Sequence, residues 1–240
     1  MKHLLLILVF GLIALAEILA QDLKKINYQF DFGTSFTIPY KNTIELFPEM
    51  DKHPQTDYSS NFGYFFEVLI SYNLTSKYAI STGLNYNYSA LKIKDKGGLI
   101  ESKGSLANSY LTFPVCIKYR LSDKKPIIIS AGPYLGYLII ANEKGTSCID
   151  TVGLIFAEPD PVIEQTHKYN TDIKKDYTSF DYGLSIQLDY EIKLSYKFNG
   201  VILTRFNYGL KNVLTNDLNN KSSASDWKNF NIMIGLGLII

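Results

Sequence analysis

The sequence predicts an all-β protein, an eight-stranded antiparallel up-and-down transmembrane β-barrel. Apolar and polar residues alternate along eight segments, which is the period of a two-faced strand and not that of a helix. Short and long connections alternate between these segments. After the first 20 residues no run of about 18 apolar residues remains, so residence in a membrane would require a closed barrel.

Length and composition fit one barrel domain. A chain of 240 residues is a common length for a single barrel. Its 24 Lys and Arg residues nearly balance its 23 Asp and Glu residues, so there is no electrostatic signature of nucleic-acid binding. The 18 Tyr and 14 Phe residues favour strands.

Residues 1–20 are predicted to be a secretory signal peptide, and residues 21–240 the barrel domain. Lys2 and His3 precede an apolar run, and small residues follow it, which is the order of regions in an export signal. Cleavage after Ala20 would leave Gln21 as the first residue. An uncleaved anchor is the alternative, although the apolar run is short for a membrane span.

The first four strands each carry an apolar set on one face and a polar set on the other. They are predicted at residues 26–38, 61–73, 77–91 and 107–121. In the first strand Tyr28, Phe30 and Phe32 alternate with Gln29 and Asp31. The apolar residues that define the next three strands are Phe62, Tyr64, Phe66, Val68, Ile70 and Tyr72, then Tyr78, Ile80, Leu84, Tyr86 and Tyr88, then Leu111, Phe113, Val115, Ile117, Tyr119 and Leu121.

The last four strands are predicted at residues 126–141, 178–199, 201–211 and 228–240. The sixth has the longest alternation, from Phe180 to Phe198, with polar residues at every odd position. A bilayer needs only about 9–11 residues of strand, so part of this strand should project beyond it. The seventh and eighth repeat the pattern with Ile202, Phe206, Tyr208 and Leu210, and with Phe230, Ile232, Ile234, Leu236, Leu238 and Ile240.

Two features interrupt the alternation. Pro114 and Pro133 fall inside the fourth and fifth strands, and a closed barrel has no edge where a missing N–H is harmless. Bulges are therefore predicted at both prolines. The consecutive residues Ile127, Ile128 and Ile129 also make the fifth strand less amphipathic than the others.

The connections predict which rim faces which side of a membrane. Residues 73–76, 122–125 and 198–200 form short turns, and Gly200 suits a three-residue hairpin with a left-handed glycine. The other connections are long, at residues 39–60, 92–106, 142–177 and 212–227. Short turns at one rim and long loops at the other are typical of outer-membrane barrels, and an even strand number places both termini at the periplasmic rim.

The apolar face is predicted to meet lipid. A soluble carrier barrel would put its apolar face inside and a Lys- and Glu-rich face outside. Here the polar face is mostly Gly, Ser, Asn and Thr, which suit a narrow lumen. Aromatic residues also sort to the two ends of the apolar face, as girdles do at membrane interfaces. They are Tyr28, Tyr72, Tyr78, Tyr119, Tyr196 and Phe198 at the short-turn rim, and Phe62, Tyr64, Tyr86, Tyr88, Tyr137, Phe180, Tyr182, Phe206, Tyr208 and Phe230 at the long-loop rim.

Several strands resemble those of a known family. Tyr110-Leu111, Pro114 and Lys118-Tyr119 resemble the aromatic-Leu-x-apolar-Pro-apolar-x-x-Lys-Tyr strand of PorT-like outer-membrane barrels. Residues 131–137 are similar to the strand that follows there, and residues 180–184 and 205–213 to the sixth and seventh strands. The resemblance spans most of the mature chain. It implies an outer-membrane β-barrel domain of the porin-like superfamily in Bacteroidota-type bacteria.

The lumen-facing charges are the candidate functional set. Strand parity points a set of acidic and basic side chains inward, and a buried charge must find a partner or water. The hairpin register predicts Asn207 opposite Glu191, with Arg205 diagonal to it. Such a set would form a salt-bridged plug or line a gated polar path, and eight strands leave so little space that the plug is favoured. Its members are Asp31, Glu67, Lys118, Arg120, Asp181, Asp189, Glu191 and Arg205.

Other reactive residues predict little chemistry. Cys116 is assigned to the lumen face and Cys148 to a loop, so two free thiols are favoured over a disulfide. Acidic residues near His167 could form a weak cation site or simply a solvated loop, and they lack any calcium-loop motif. They are Glu158, Asp160 and Glu164. No catalytic constellation and no cofactor or metal site is predicted.

The predicted function is therefore non-enzymatic. The leading hypothesis is a surface-contact or membrane-structural role, with outer-membrane lipid and an extracellular ligand as partners and no nucleic acid. The PorT resemblance implies an alternative, a secretion component with periplasmic partners. A small polar-solute channel and a soluble periplasmic carrier of lipophilic ligands remain further alternatives.

Overall fold

Strands make up most of the chain. The computed structural model describes residues 25–43, 55–97, 100–122, 126–149, 165–196, 198–213 and 225–240. The predicted signal peptide lies outside these ranges. Within them a 3₁₀ turn occurs at Lys174–Asp176, and no helix is long and apolar enough to cross a membrane. The strands are β1 (Ile26–Thr43), β2 (Gln55–Asn73), β3 (Tyr78–Gly97), β4 (Ile100–Arg120), β5 (Ile127–Ile149), β6 (Gln165–Asp172), β7 (Phe180–Lys193), β8 (Asn199–Gly209) and β9 (Ser225–Ile239).

Eight of these strands close into an antiparallel barrel, as the sequence predicts. Each strand from β1 to β5 pairs with the next, β5 also pairs with β7, and β7, β8 and β9 follow in order. The barrel closes where β1 pairs with β9, from Gln29↔Ile239 to Thr43↔Ser225. β6 stands outside this ring and pairs with the outer part of β5.

The apolar face of the barrel points outward. Along β7 exposed and buried residues alternate, so that Leu184 and Ile186 are 51% and 55% exposed whereas Ser185 and Asp189 are 2% and 1% exposed. Alternation at period two therefore separates an apolar exterior from a polar lumen. The predicted inside–outside assignment is confirmed, and the reversed arrangement of a soluble carrier is excluded for the described residues.

Aromatic residues meet one another at the two ends of the exterior. At the short-turn rim the rings of Tyr78 and Tyr119 lie 5.0 Å apart. At the opposite rim Tyr64 stacks on Tyr88 with ring centroids 5.0 Å apart, and Tyr137 lies 5.3 Å from Phe180. These contacts join residues that the sequence had assigned to the same girdle.

Strands continue well beyond the closed ring at the long-connection rim. β2, β3, β4, β5 and β6 run on as one five-stranded antiparallel sheet, which we call the surface sheet. It comprises residues 55–61, 90–97, 100–107, 142–149 and 165–172. The prediction of loops at 92–106 and 142–177 is thus wrong in large part. Cross-strand hydrogen bonds hold this sheet although its residues lack the apolar alternation on which the prediction depended.

Register shifts occur away from the prolines. The β4–β5 ladder shifts between Ser109 and Tyr110, and the β2–β3 ladder between Asn61 and Tyr64. The predicted bulges at Pro114 and Pro133 are wrong, because the register is the same on both sides of each. The β4–β5 pairing is interrupted there instead, beside Gly132, where an added Cβ would overlap the Val115 carbonyl oxygen.

The hairpin between β7 and β8 differs from the predicted one. Lys193 pairs with Asn199, so the turn lies between them and not at residues 198–200. The amides of Leu194 and Ser195 both donate to the Phe198 carbonyl oxygen, at 3.2 and 3.0 Å. The Phe198 amide in turn donates to Ser195 Oγ at 3.1 Å. This hydrogen bond stabilises a chain reversal that begins before the predicted turn. The register moves by an even number of residues, so every side chain keeps its predicted face.

Replacing Gly33 with alanine is expected to lower the free energy of unfolding by about 1–3 kcal/mol. An added Cβ would overlap the Ile234 carbonyl oxygen on β9, and backbone there has little room to move. Gly136→Ala is the matched control, because its nearest neighbour, Thr112 Cγ2, would lie 3.2 Å away. Urea titration of the folded, faster-migrating gel band measures both variants; equal losses would contradict the close approach at Gly33.

Candidate functional site

The charged residues that the sequence assigned to the lumen do face it, but they lie at different depths along the barrel. Six of the eight are deeply buried, each at most 7% exposed. Five of these six fall into two hydrogen-bonded groups near mid-barrel, and the sixth, Asp181, lies apart. The six are Asp31, Glu67, Lys118, Asp181, Asp189 and Arg205. The other two, Arg120 and Glu191, pair at the short-turn rim.

One group is centred on Arg205, which spans the lumen from β8. Its Nη1 and Nη2 donate to the two carboxylate oxygens of Glu67 on β2, at 2.6 and 2.5 Å. Its Nε donates to Gln187 Oε1 at 2.6 Å, and Nη2 also contacts that oxygen. Gln187 Nε2 then donates to Asp189 Oδ1 at 2.6 Å. A bidentate guanidinium–carboxylate pair is directional as well as strong, so it fixes the distance between opposite walls.

The second group links Lys118 to Asp31 through an amide. Lys118 Nζ donates to Gln29 Oε1 at 2.8 Å, and Gln29 Nε2 donates to the Asp31 oxygens at 2.9 and 3.1 Å. Asp31 is the register partner of Glu67, so two carboxylates neighbour each other on β1 and β2. Burial of such charges is tolerable only where cations and donors surround them, and Lys118 and Arg205 provide these from the opposite wall.

Arg120 and Glu191 form a separate pair at the short-turn rim. Arg120 Nη1 lies 2.8 Å from Glu191 Oε2, with the side chains 32% and 11% exposed. The predicted neighbours of Glu191 are therefore wrong: Val201 is its register partner, and Asn207 lies opposite Ser185. The pair borders a recess of about 50 Å³ whose lining also includes Lys118 and Gln29.

Asp181 belongs to a third cluster nearer the long-connection rim. Its Oδ2 accepts hydrogen bonds from Tyr134 Oη at 3.2 Å and from Asn229 Nδ2 at 2.9 Å. Oδ1 has no hydrogen-bond partner among the described residues. Asp181 is thus the one predicted residue that is buried in the lumen outside both mid-barrel groups.

Apolar side chains fill the lumen in two further places. Around the middle, Phe65 packs with inward-facing residues of β8 and β9, and they are Val201, Leu203 and Met233. At the long-connection rim a second cluster, which we call the apolar cap, consists of Leu91, Leu106, Tyr110, Leu138, Ala141, Tyr177 and Val213. Backbone hydrogen bonds hold the cap together: Ile173 N donates to Ala141 O at 3.0 Å, and Thr178 N to Val213 O at 2.7 Å.

The sequence did not predict two kinds of lumen residue. Two glutamines bridge the charged side chains, and apolar side chains fill the remaining space. Gln29 and Gln187 share the parity of the charged set, but only the fold shows that each bridges a cation to a carboxylate. Phe65 also lies at an inward position of its strand, which parity alone could have revealed. The residues of the apolar cap come from three strands and two connections, and no local pattern brings them together.

The structure describes the two cysteines but not the acidic residues near His167. Cys116 is buried and Cys148 is partly buried, and both are free thiols. The acidic residues Glu158, Asp160 and Glu164 lie outside the described residues. Over the ranges that the structure describes, no group of three or more His, Cys, Asp or Glu residues could hold a metal ion.

Comparison with known proteins finds one matching family and several similar structures. A family model described as an outer membrane protein beta-barrel domain matches residues 19–215. No curated protein matches the chain. Solved structures similar to it include OprG from Pseudomonas aeruginosa, with 11% identity over 89% of this chain and 95% of that chain at a TM-score of 0.42. They also include Ail of Yersinia pestis, with 13% identity over 89% and 98% at a TM-score of 0.34.

Proposed function

Because the chain belongs to the outer membrane protein β-barrel domain family, we propose that it is a sealed barrel which carries a contact surface outside the cell. The barrel resides in the cell outer membrane, where its apolar exterior meets lipid. The long-connection rim then faces the exterior and the short-turn rim the periplasm. The proposed role is non-enzymatic surface contact, and the observation that carries it is the surface sheet.

The filled lumen supports an anchoring role over a transport role. Between the recess at the periplasmic rim and the outside lie the Arg205–Glu67 pair, the Phe65 cluster and the apolar cap. Each of the three occupies the lumen with side chains from two or more strands, which fits the narrow interior of an eight-stranded barrel. We infer that the charged groups act as a plug that ties the walls together.

The surface sheet supports a contact role because it is ordered by the same ladders as the barrel. Lys92, Ser105 and Lys144 follow one another across β3, β4 and β5 in unbroken register, and Asn170 on β6 continues the row. A sheet continuous with a membrane-anchored barrel holds its side chains at fixed positions outside the cell. Binding residues are commonly found on such scaffolded outer segments.

Trimming the surface sheet is expected to abolish surface contact without unfolding the barrel. Leu91 pairs with Leu106, and Asn142 pairs with Asp172, so residues 92–105 and 143–171 can each be replaced by an Asn-Gly turn at an existing cross-strand pair. Cells of a laboratory Gram-negative strain that express the full chain should attach to gelatin-coated plates in several times the number seen with the trimmed variant.

Two controls make this test decisive. The heat-shifted gel band in the outer-membrane fraction must be equally strong for both chains, so that attachment is compared at equal amounts of folded barrel. Planar-bilayer recordings of the purified full chain should show no steps in ionic current. Equal attachment of both variants would remove the contact role, and regular current steps would favour the polar-solute channel.

A second candidate comes from the sequence resemblance to PorT-like barrels of Bacteroidota-type bacteria. The segments that resemble that family lie side by side, because residues 109–120 belong to β4 and residues 131–137 to β5. In this candidate the periplasmic rim, with its recess beside Arg120 and Glu191, would contact secretion partners. Co-purification of periplasmic proteins with the trimmed variant as well as the full chain would favour it, because trimming leaves that rim unchanged.

A further inference from the structure

Exposed lysines concentrate on one face of the surface sheet. Lys92 and Lys94 on β3, Lys103 on β4, Lys144 on β5 and Lys168 on β6 are all exposed. Strand register arranges them in two adjacent rows. Lys92 and Lys144 share one row, and Lys94, Lys103 and Lys168 share the next. With strands about 4.8 Å apart and rows about 7 Å apart, the five ammonium groups form one compact basic patch, here called the lysine face.

The lysine face continues the lipid-facing wall of the barrel. On β3 the outward residues Tyr86 and Tyr88 precede Lys92 and Lys94 at the same parity, and the β3–β4 register stays constant between them. On β5 the shift near Ile139 moves the outward parity from odd to even, which brings Lys144 to the same side. The patch therefore faces outward from the barrel, on the same side as the lipid-facing wall and beyond it along the strands.

The inner row of the lysine face lies just above the lipid headgroups. Lys92 lies four residues beyond Tyr88, or about 13 Å along the strand, and a strand tilt near 40° reduces this to about 10 Å of height. The headgroup layer on each side of a bilayer is about 5–8 Å thick. Because lysine side chains extend toward a preferred charged partner, Lys92 and Lys144 reach back to the phosphate level.

Lysines outnumber acidic residues at the register positions of the two rows. Lys94 and Lys103 are direct cross-strand partners, an arrangement of like charges that normally destabilises a sheet. Asp57 on β2 is the other cross-strand partner of Lys94 and is the one acidic residue in the two rows. Glu101 lies one row farther out, where it pairs with Lys96. A phosphate group outside the sheet would be attracted to this excess of positive charge.

We propose that the lysine face binds the phosphate groups of lipids in the outer leaflet of the outer membrane. The bound phosphates hold the surface sheet against the membrane by one face and leave its other face toward the exterior. Basic clusters adjacent to a membrane-spanning segment are a recognised means of binding anionic headgroups. This inference depends on the membrane location of the barrel and not on the proposed contact role.

The test is calorimetric titration of the full chain, folded in neutral detergent, with bisphosphorylated lipid A. The patch variant is Lys92→Gln, Lys94→Gln and Lys103→Gln together. Its affinity is expected to fall by about 100-fold, at roughly fivefold for each lysine near an anionic surface. Replacing the same three lysines with arginine keeps the charge and should preserve binding.

Matched controls separate phosphate recognition from general charge effects. Lys25→Gln, Lys77→Gln and Lys193→Gln together remove the same charge at the periplasmic rim and should change the affinity much less. Chemically dephosphorylated lipid A should bind weakly to every variant. A heat-shifted band for each variant establishes that it is folded before titration.

Other outcomes would overturn the inference. Unchanged lipid A affinity in the patch variant, or equal affinity for dephosphorylated lipid A, would show that the lysines do not bind lipid phosphate. Dextran sulfate and inorganic phosphate serve as soluble probes. Patch-dependent binding of either one, without patch-dependent binding of lipid A, would assign the face to a soluble anion. Loss of attachment by the trimmed variant would not alter any of these results.

Discussion

Replacing Arg205 with methionine is expected to lower the free energy of unfolding by about 3–5 kcal/mol, since it leaves a buried carboxylate without its cation. Glu67 is 3% exposed and receives two hydrogen bonds from Arg205. Gln187 would also lose the donor to its Oε1. A urea titration followed by the gel mobility of folded and unfolded chains measures the loss.

Two further variants separate the buried charge from the lost volume. Glu67→Gln combined with Arg205→Met removes both charges and should recover most of the stability, because a buried ion pair contributes little over a neutral replacement. Arg120→Met breaks the rim pair with Glu191, where Arg120 is 32% exposed, and should cost about 1 kcal/mol or less. A double variant as unstable as Arg205→Met alone would contradict this account of the lumen.

Replacing Phe65 with alanine should also cost about 3–5 kcal/mol, the usual range for removing a buried aromatic ring. The ring is 1% exposed and packs against Val201, Leu203 and Met233 across the lumen. Neighbouring glycines at positions 33 and 235 approach the ring closely and have no side chain with which to fill the space. The barrel wall is fixed by its ladders, so the cavity cannot collapse.

Phe66 provides the matched control on the same strand. It is 58% exposed on the opposite face, where detergent or lipid chains replace the contacts of a missing ring. Phe66→Ala should therefore lose about 1 kcal/mol or less in the same urea titration. Equal losses for Phe65→Ala and Phe66→Ala would show that the lumen packing contributes no more than the lipid-facing wall.

Parity allowed the barrel and the facing of its residues to be predicted from sequence alone. One side of each strand must avoid lipid, so a period of two is enforced along residues such as Asp181 to Glu191 on β7. Register was less predictable. The turn after Lys193 depends on the Ser195 side chain, and sliding the hairpin by an even number of residues leaves the pattern unchanged.

The surface sheet and the lumen contacts required the fold. Residues 90–97 and 142–149 each pair with residues 100–107 outside the membrane, where no apolar face is imposed and lysine and glycine are accepted. Arg205 and Glu67 are far apart in sequence, and parity states only that both face inward. Which cation meets which carboxylate depends on the stagger of the closed barrel, which local sequence does not encode.

The seam between β1 and β9 places a condition on biogenesis. Residues 29–43 pair with residues 225–239, so the first strand of the barrel waits for the last one to be synthesised and exported. Until that moment two strand edges lack partners, and neither can enter a hydrocarbon layer without leaving backbone amides unsatisfied. Closure of the barrel and entry into the hydrocarbon layer are therefore coupled, and a chain truncated before β9 would leave the edge of β1 without its partner.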